Sequence, residues 1–310
     1  MGYHQAERHS AKTTRCLSNH EYGMESKDFT ARGNSKYVRR LPTKSLLITV
    51  LTINNMNNPK FSIITVCYNS EKTIAQTIES VLMQSYPNIE YIIIDGSSTD
   101  GTVRIAESYK DRFQCHGILY KIVSEPDNGI YDAMNKGIGL ASGDIVGTLN
   151  SDDFYSERFV LDEVYNLMSK SGAQAFFADV VYIKDNQDKP VRYYSSKHFN
   201  RKRFKFGFMP AHPSFFTYRD NYLSYGCYKT DYRIAADYEL LVRFLYTKGI
   251  SYCYAPRPVV KMRMGGVSTK SIISNYILNK EIIRACAENG IYTNMFLLSL
   301  KYFLKIREVM

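Results

Sequence analysis

The chain has 310 residues, enough for one large α/β domain with appendages or for two modest domains. Its formal net charge is +10, but the first 60 residues hold ten Lys and Arg against four Asp and Glu. The remaining 250 residues therefore carry 30 basic against 26 acidic side chains, and this near balance indicates no nucleic-acid partner. The six cysteines show no C-x-x-C pair or metal-ligand spacing, and no apolar run approaches the ~20 residues that span a bilayer, which together favour a reduced cytoplasmic protein.

Short apolar runs alternate with helical patterns between residues 56 and 153. The runs FSIITV, EYIIID, ILYKIV and DIVGTL predict four strands. The first helix is predicted to follow Ser70 as its N-cap, and STDGTVRIAESYKDR predicts a second helix capped by Asp100. A third helical pattern places Met134 and Ile138 inward, with Leu140 as a further candidate for that face. Strands separated by helices of this length predict βαβ units and a mostly parallel sheet.

The pattern changes after Asp153. The segments AQAFFADVVYI and KPVRYY flank the turn-like KDNQD and predict an antiparallel hairpin. AADYELLVRFLYTKG predicts a helix, PVVKMRM a strand, and residues 271–310 two C-terminal helices. The last helix has one broad apolar face, which contains Phe296, Leu297, Leu300, Phe303 and Leu304. This face could pack against any of three partners: a membrane surface, the rest of the domain, or a second copy of the chain in a homodimer.

Acidic residues follow successive strands. Asp95 ends the second strand, Asp127 follows the third, and Asp152 and Asp153 follow the fourth. The carboxyl ends of parallel strands share one rim, where ligands bind, and adjacent like charges are costly unless a cation or a donor-rich ligand lies between them. Oxygen ligands favour Mg²⁺ or Mn²⁺, held together with a polyphosphate. The chain lacks G-x-G-x-x-G after its first strand and lacks a P-loop, so a metal-dependent nucleoside-diphosphate site is what remains.

Three segments closely resemble the nucleotide-sugar-binding half of family 2 glycosyltransferases, especially bacterial enzymes that assemble surface polysaccharides: FSIITVCYNSEKTIAQTIESVLMQSYPNIEYIIIDGSSTDGT, SEPDNGIYDAMNKGI and LNSDD. The resemblance implies an α/β GT-A fold, in which a mostly parallel sheet is flanked by helices. It implies a nucleotide-sugar-binding half over 56–155, an acceptor and catalytic half of the same domain over 156–270, and C-terminal helices over 271–310. Residues 1–55 are predicted to be a disordered leader or sequence upstream of the natural start.

The resemblance also assigns residues to the donor. Thr65 and Tyr68, on the loop after the first strand, would lie against the base and ribose of a UDP-sugar. Asp95 would accept a hydrogen bond from the uracil ring. A later segment would line the donor pocket through Asp127, Asp132 and Lys136, with the lysine meeting the donor phosphate or sugar.

Metal binding and proton transfer are assigned in the same way. Asp152 and Asp153 resemble the D-x-D-type element of the family, one meeting the ribose or phosphate and the other the metal, and the pattern N-S-D-D leaves open which is which. Asp237, at the start of a helix, would be the general base, and direct displacement by the acceptor hydroxyl would invert the anomeric configuration. His212 has two interpretations, contact with the acceptor or diphosphate and a structural role.

The resulting prediction is an inverting, metal-assisted glycosyltransferase that moves a sugar from a UDP-sugar to a saccharide or lipid-linked saccharide. It would work in the cytoplasm, or peripherally at the inner face of the cell membrane. Two alternatives stay open. A sugar-1-phosphate nucleotidyltransferase would need a glycine-rich basic loop where the chain has CYNSEK, and a non-catalytic sugar- or membrane-binding protein would need neither Asp237 nor the metal pair.

Overall fold

The computed structural model describes residues 58–184, 190–264 and 272–306. The predicted leader, residues 1–55, lies outside this part of the chain. The strands are β1 (Phe61–Cys67), β2 (Ile89–Asp95), β3 (Leu119–Ser124), β4 (Ile145–Thr148), β5 (Phe154–Tyr155), β6 (Ala175–Ile183), β7 (Pro190–Tyr194), β8 (Phe216–Tyr218) and β9 (Tyr252–Arg263).

The α-helices alternate with the strands in the first half of the described chain and gather near its end. They are α1 (Ile74–Leu82), α2 (Thr102–Glu107), α3 (Lys110–Cys115), α4 (Ile130–Leu140), α5 (Val160–Ser171), α6 (Arg219–Tyr225), α7 (Ala236–Val242), α8 (Ile272–Glu288) and α9 (Met295–Ile306). Short 3₁₀ turns cover Arg201–Phe206 and His212–Ser214, and a π-helical turn, Arg243–Thr247, follows α7. Within the described residues, no helix is long and apolar enough to cross a bilayer.

All the described strands join one mixed sheet. Its order is β3-β2-β1-β4-β8-β6-β9-β5, with β7 paired to β6. The first four strands are mutually parallel, as the βαβ pattern predicts. β8 then runs antiparallel to both β4 and β6, β9 is parallel to β6, and β6 with β7 forms the predicted antiparallel hairpin.

The central strands are apolar on both faces because helices cover both faces. β1 and β2 are buried along their whole length. Alternate side chains of β1 enter two cores: Ile64 and Val66 pack in a cluster with residues of α4 and α7, whereas Phe61 and Ile63 pack in a cluster with residues of α1 and α5. The carboxyl ends of these rigid strands therefore form a fixed edge on which side chains can be placed.

Three local predictions are wrong. Helix α1 begins at Ile74 after Thr73, and Ser70 contributes its backbone carbonyl rather than its side chain. The helix predicted after Asp100 is two helices, α2 and α3, although the Asp100 carboxylate does accept the backbone N–H of Thr102 at 3.0 Å. Leu140, expected to face inward at the end of α4, is exposed. Each error concerns a helix end, where local propensity is weak and neighbouring loops decide.

Candidate active site

The loops after β2 and β4 lie on either side of the end of β1. Asp95 is the last residue of β2 and pairs in register with Cys67, and β4 lies on the other edge of β1. Because paired strands lie about 4.8 Å apart, the two loops are about 10 Å apart across β1. The hydroxyls of Ser70 and Ser151, at 2.8 Å, join the loop after β1 to the loop after β4. The segments that carry the predicted acids therefore lie on one rim of the sheet.

Asp95 is held by protein donors. Its side chain is 1% exposed. One carboxylate oxygen accepts the backbone N–H of Ser98 at 2.9 Å and the Ser124 hydroxyl at 2.7 Å. The other accepts the Ser98 hydroxyl and the Cys67 thiol. A carboxylate has about four acceptor positions, so Asp95 braces the loop after β2, and a base could contact it only by displacing one of these donors.

The predicted place of Thr65 is wrong. It lies inside β1 rather than on the following loop, is fully buried, and accepts a hydrogen bond from the Tyr91 hydroxyl at 3.0 Å. Tyr68 does lie on that loop and is 63% exposed. Its neighbour Asn69 has φ of 48° and Ser97, on the loop after β2, has φ of 61°. Left-handed backbone is uncommon at non-glycine residues and is enriched at ligand sites, so both loops are candidates for ligand contact.

Asp152 and Asp153 differ in environment. Asp153 is 1% exposed, and burial followed by the charge of Asp152 raises its pKa well above the ordinary value. Asp152 is half-buried; burial raises its pKa too, and the charge of Arg263 opposes that shift. Of the two carboxylates, Asp152 is therefore the one with surface open to a ligand.

A third oxygen lies in the same loop. The Asn150 side chain donates weakly to Asp153, at 3.5 Å, while its own amide oxygen is buried and has no hydrogen-bond partner in the described part of the chain. A buried acceptor without a donor is costly unless something else satisfies it. No group of three or more His, Cys, Asp or Glu residues within the described ranges could hold a metal ion by itself. Any cation here would thus share its coordination with a ligand.

The segment between β3 and α4 holds its polar residues among themselves. Asp127 accepts the backbone N–H of Gly129 at 2.9 Å, and Asp132 accepts that of Asn128, also at 2.9 Å. Lys136 donates to the Pro126 carbonyl at 2.7 Å and pairs with Glu125 at 3.0 Å. Asp127 also lies against Gly96, where an added Cβ would be 2.5 Å from its carboxylate oxygen. The segment is thereby joined to the loop after β2.

Asp237 lies in the first turn of α7, as predicted, and is half-buried. Burial raises its pKa, whereas the nearby His212 and the backbone N–H of Tyr238, which donates to the Asp237 carboxylate at 2.7 Å, act in the opposite direction. His212 is itself buried, and burial lowers its pKa while the charge of Asp237 opposes that shift. The ring nitrogen Nε2 lies 2.7 Å from the Tyr228 hydroxyl.

Two tyrosines at this site were missed by the sequence reasoning. The Tyr131 hydroxyl donates to the Ile234 carbonyl just before α7, and the Tyr131 and Tyr228 rings stack with centroids 5.7 Å apart. Tyr228 also lies near Thr148, the last residue of β4. Among 26 tyrosines no local signal marks these two, because their importance comes from contacts with distant segments.

Comparison with known proteins decides what kind of site this is. The family model described as Glycosyl transferase family 2 matches residues 62–225, more than half of the chain. The chain belongs to this glycosyltransferase family. An uncharacterized glycosyltransferase of Mycobacterium tuberculosis is 33% identical over 190 residues, which are 60% of this chain and 68% of that protein. A PGL/p-HBAD biosynthesis glycosyltransferase of Mycobacterium bovis is 27% identical over 231 residues, 74% of this chain and 84% of that one.

Solved glycosyltransferases share the fold. S. aureus TarS 1-349 in complex with UDP-GlcNAc gives a TM-score of 0.56 at 16% identity over 75% of this chain and 68% of that one. The full TarS chain is matched over 40% of its length, with a TM-score of 0.57 at 17% identity. Mannosyltransferase PcManGT from Pyrobaculum calidifontis, in complex with GDP-Man and Mn²⁺, gives 0.54 at 15% identity over 86% of this chain and 88% of that one. The predicted GT-A fold is confirmed.

The family assignment confirms the predicted enzyme class. Sugar-1-phosphate nucleotidyltransferase, the alternative enzyme weighed from sequence, is set aside because the matched family transfers sugars. The matched range runs from β1 to α6 and includes the segments that carry Asp95 and Asp152. The matched range ends before α7 and does not include Asp237. The role proposed for Asp237 therefore depends on the structure of this chain and not on the family match.

Proposed function

We propose that this glycosyltransferase moves a sugar from a UDP-sugar to a hydroxyl of a saccharide or lipid-linked saccharide with inversion, and that Asp237 is the general base. The observation that carries the proposal is a chain of contacts. Asp237 lies beside His212, the His212 ring contacts the Tyr228 hydroxyl at 2.7 Å, and Tyr228 lies near Thr148 at the end of β4. Asp152 lies on the loop that follows β4. The contacts around the base candidate therefore extend to the strand end that precedes the donor-side carboxylate.

The reaction follows from these positions as a single displacement. The acceptor oxygen forms a bond to the anomeric carbon as the bond to the nucleoside diphosphate breaks, and Asp237 takes the acceptor proton. A carboxylate whose pKa is raised by burial is a stronger base than one in water. Attack from the side opposite the leaving group inverts the anomeric centre.

The residues at the β4 loop fit a hard divalent cation. Asp152 offers an accessible carboxylate and Asn150 a buried amide oxygen without a protein donor, and both are oxygen ligands of the kind Mg²⁺ and Mn²⁺ prefer. These cations are commonly held by one or two protein oxygens together with substrate phosphates. When bound, such a cation neutralises charge on the departing diphosphate. We assign Asp152 as the direct ligand and Asp153 as its buried support.

A UDP-sugar is the proposed donor. The TarS complex with UDP-GlcNAc supports uridine, although PcManGT with GDP-Man shows that the fold accepts another base. The exposed ring of Tyr68 is available to stack on the base, and Lys136 lies beside Asp132, at 3.7 Å, within the segment proposed to meet the donor. Thr65 has no accessible surface and is not included.

The acceptor is proposed to enter beside the start of α4. A cavity of ≈ 320 Å³ lies there between two segments, 128–132 and 230–233. Tyr131 lines this cavity and its hydroxyl contacts the segment that leads into α7. For a lipid-linked acceptor we propose peripheral contact with the inner face of the cell membrane through α9, on which Phe296 is 71% exposed.

Two substitutions test the proposal. Asp237→Asn should leave donor affinity unchanged in calorimetry and lower the transfer rate by about 10²–10⁴-fold, because only proton removal is lost. Asp152→Asn should remove the metal-dependent part of donor binding, so that EDTA no longer changes the affinity. UDP release is the readout of turnover. Near-normal turnover of Asp237→Asn would place the base elsewhere, and metal-dependent binding by Asp152→Asn would contradict the metal assignment.

A further inference from the structure

The segment that leads into α7 is fixed by a carboxylate from a different helix. Glu281, in α8, accepts the backbone N–H of Arg233 at 2.7 Å with one oxygen. Its other oxygen accepts the N–H groups of Ile234 and Ala235, each at 2.9 Å. Three successive N–H groups thus converge on one side chain that is 46 to 48 residues away in sequence.

Glu281 holds the backbone up to the N-cap residue of α7, where the sequence provides no capping side chain. Ala235 is the N-cap residue of α7, and alanine has no side-chain oxygen to accept the first free N–H groups. A carboxylate that receives several N–H donors makes short, charge-assisted bonds and defines the backbone path closely. Asp237 lies two residues beyond Ala235. The position of its carboxylate is therefore set by the backbone that Glu281 holds.

Helix α8 is itself anchored to the same region. Glu288, one end of α8, pairs with Lys229 at 2.7 Å and accepts the Tyr232 hydroxyl at 2.9 Å. Ala285 and Cys286 of the same helix are fully buried in the core. These contacts keep the helix in place, but they involve side chains and do not restrain the backbone N–H groups next to Asp237. The family match ends at residue 225, so neither helix is covered by it.

We propose that Glu281 is a positioning residue for catalysis: by binding three backbone N–H groups it holds Asp237 where the acceptor proton is removed. The proposal rests on the proposed role of Asp237 as the base. Because the hydrogen bonds described for Glu281 go to the backbone of residues 233–235, its loss should change the chemical step and not donor binding. A displacement of about 1 Å at a catalytic group can cost about 10²-fold in rate.

The test compares Glu281→Gln with Glu288→Gln and Asp237→Asn. Glutamine keeps the size of the side chain but replaces one accepting oxygen by a donor that opposes an N–H group. We expect Glu281→Gln to lower kcat about 10- to 100-fold, with donor affinity by calorimetry within threefold of the wild type. Hydrogen exchange measured by mass spectrometry should show lost protection in peptides that contain residues 233–238. Glu288→Gln is matched in helix and charge, and should keep that protection and a kcat within threefold.

The possible outcomes distinguish the positioning role of Glu281 from the role of Asp237 as the base. Normal kcat in Glu281→Gln while Asp237→Asn is inactive would overturn the positioning role and leave the base in place. Normal turnover in Asp237→Asn would instead overturn the proposed function on which the inference rests. Equal loss of kcat in Glu281→Gln and Glu288→Gln, or loss of donor binding in Glu281→Gln, would mean that α8 supports the fold in general, and would also overturn the inference.

Discussion

Replacement of Glu90 by glutamine should destabilise the protein without touching the donor site. Glu90 lies in β2, is fully buried, and its carboxylate accepts the Ser62 hydroxyl at 2.6 Å and the Ser142 hydroxyl and N–H at 2.8 Å each. Lys121 pairs with it at 2.8 Å. Burial alone would raise the pKa of Glu90, but Lys121 and the serine donors outweigh it and lower the pKa from 4.5 to about 2.

This shift sets the size and pH window of the effect. A difference of about 2.5 pKa units corresponds to about 3 kcal/mol of stability, at 1.36 kcal/mol per unit. Lys121 is 37% exposed and is screened by water, so about 2 kcal/mol is expected at pH 7. Because the folded pKa is the lower one, this stability is complete above about pH 4.5 and is lost as the pH falls toward about 2.

Urea unfolding of wild type and Glu90→Gln, at pH 7 and at pH 3.5, measures the effect. The control is Glu107→Gln, which removes an exposed pair with Lys110 and should cost less than about 0.5 kcal/mol. Donor affinity should be unchanged in both variants. A stability difference for Glu90→Gln that is equal at the two pH values would refute the electrostatic reasoning.

Three further predictions concern packing, protonation and the tyrosine contact. Gly137→Ala should lower the free energy of unfolding in urea by about 1–2 kcal/mol, because the added Cβ would lie 2.4 Å from a β1 side chain. Gly139→Ala, in the same helix, has open space around the added Cβ and should raise that free energy by up to about 1 kcal/mol. Equal effects of the two substitutions would contradict this reasoning. The pH profile of kcat should show an acidic limb centred above pH 3.8, because burial raises the pKa of Asp237 and protonation removes the base; a limb below that value would argue against it. Tyr228→Phe leaves His212 without its 2.7 Å partner and should cost about 1–3 kcal/mol in thermal unfolding, and an unchanged transition would show that the contact carries no weight.

Much of the proposed donor-binding half could be predicted because its strands and helices follow from short-range sequence patterns. The parallel strands β1 to β4 follow from apolar runs separated by helical periods, and the acids at their ends fall on one rim because parallel strands share a direction. These strand predictions were sufficient to locate Asp95 at the end of β2 and Asp152 after β4. Thr65 was misplaced because the exact end of a strand depends on pairing, here with β2 through Cys67.

The sequence by itself determined the alternation of strands and helices, the family and the candidate carboxylates, because these depend on residue type and short-range spacing. Only the tertiary structure decided which carboxylate is accessible, since Asp152 and Asp153 are neighbours in the chain and differ in burial. It also decided what surrounds Asp237. Tyr131, His212 and Glu281 come from three separate segments, and no local pattern encodes a contact that forms only when distant segments pack together.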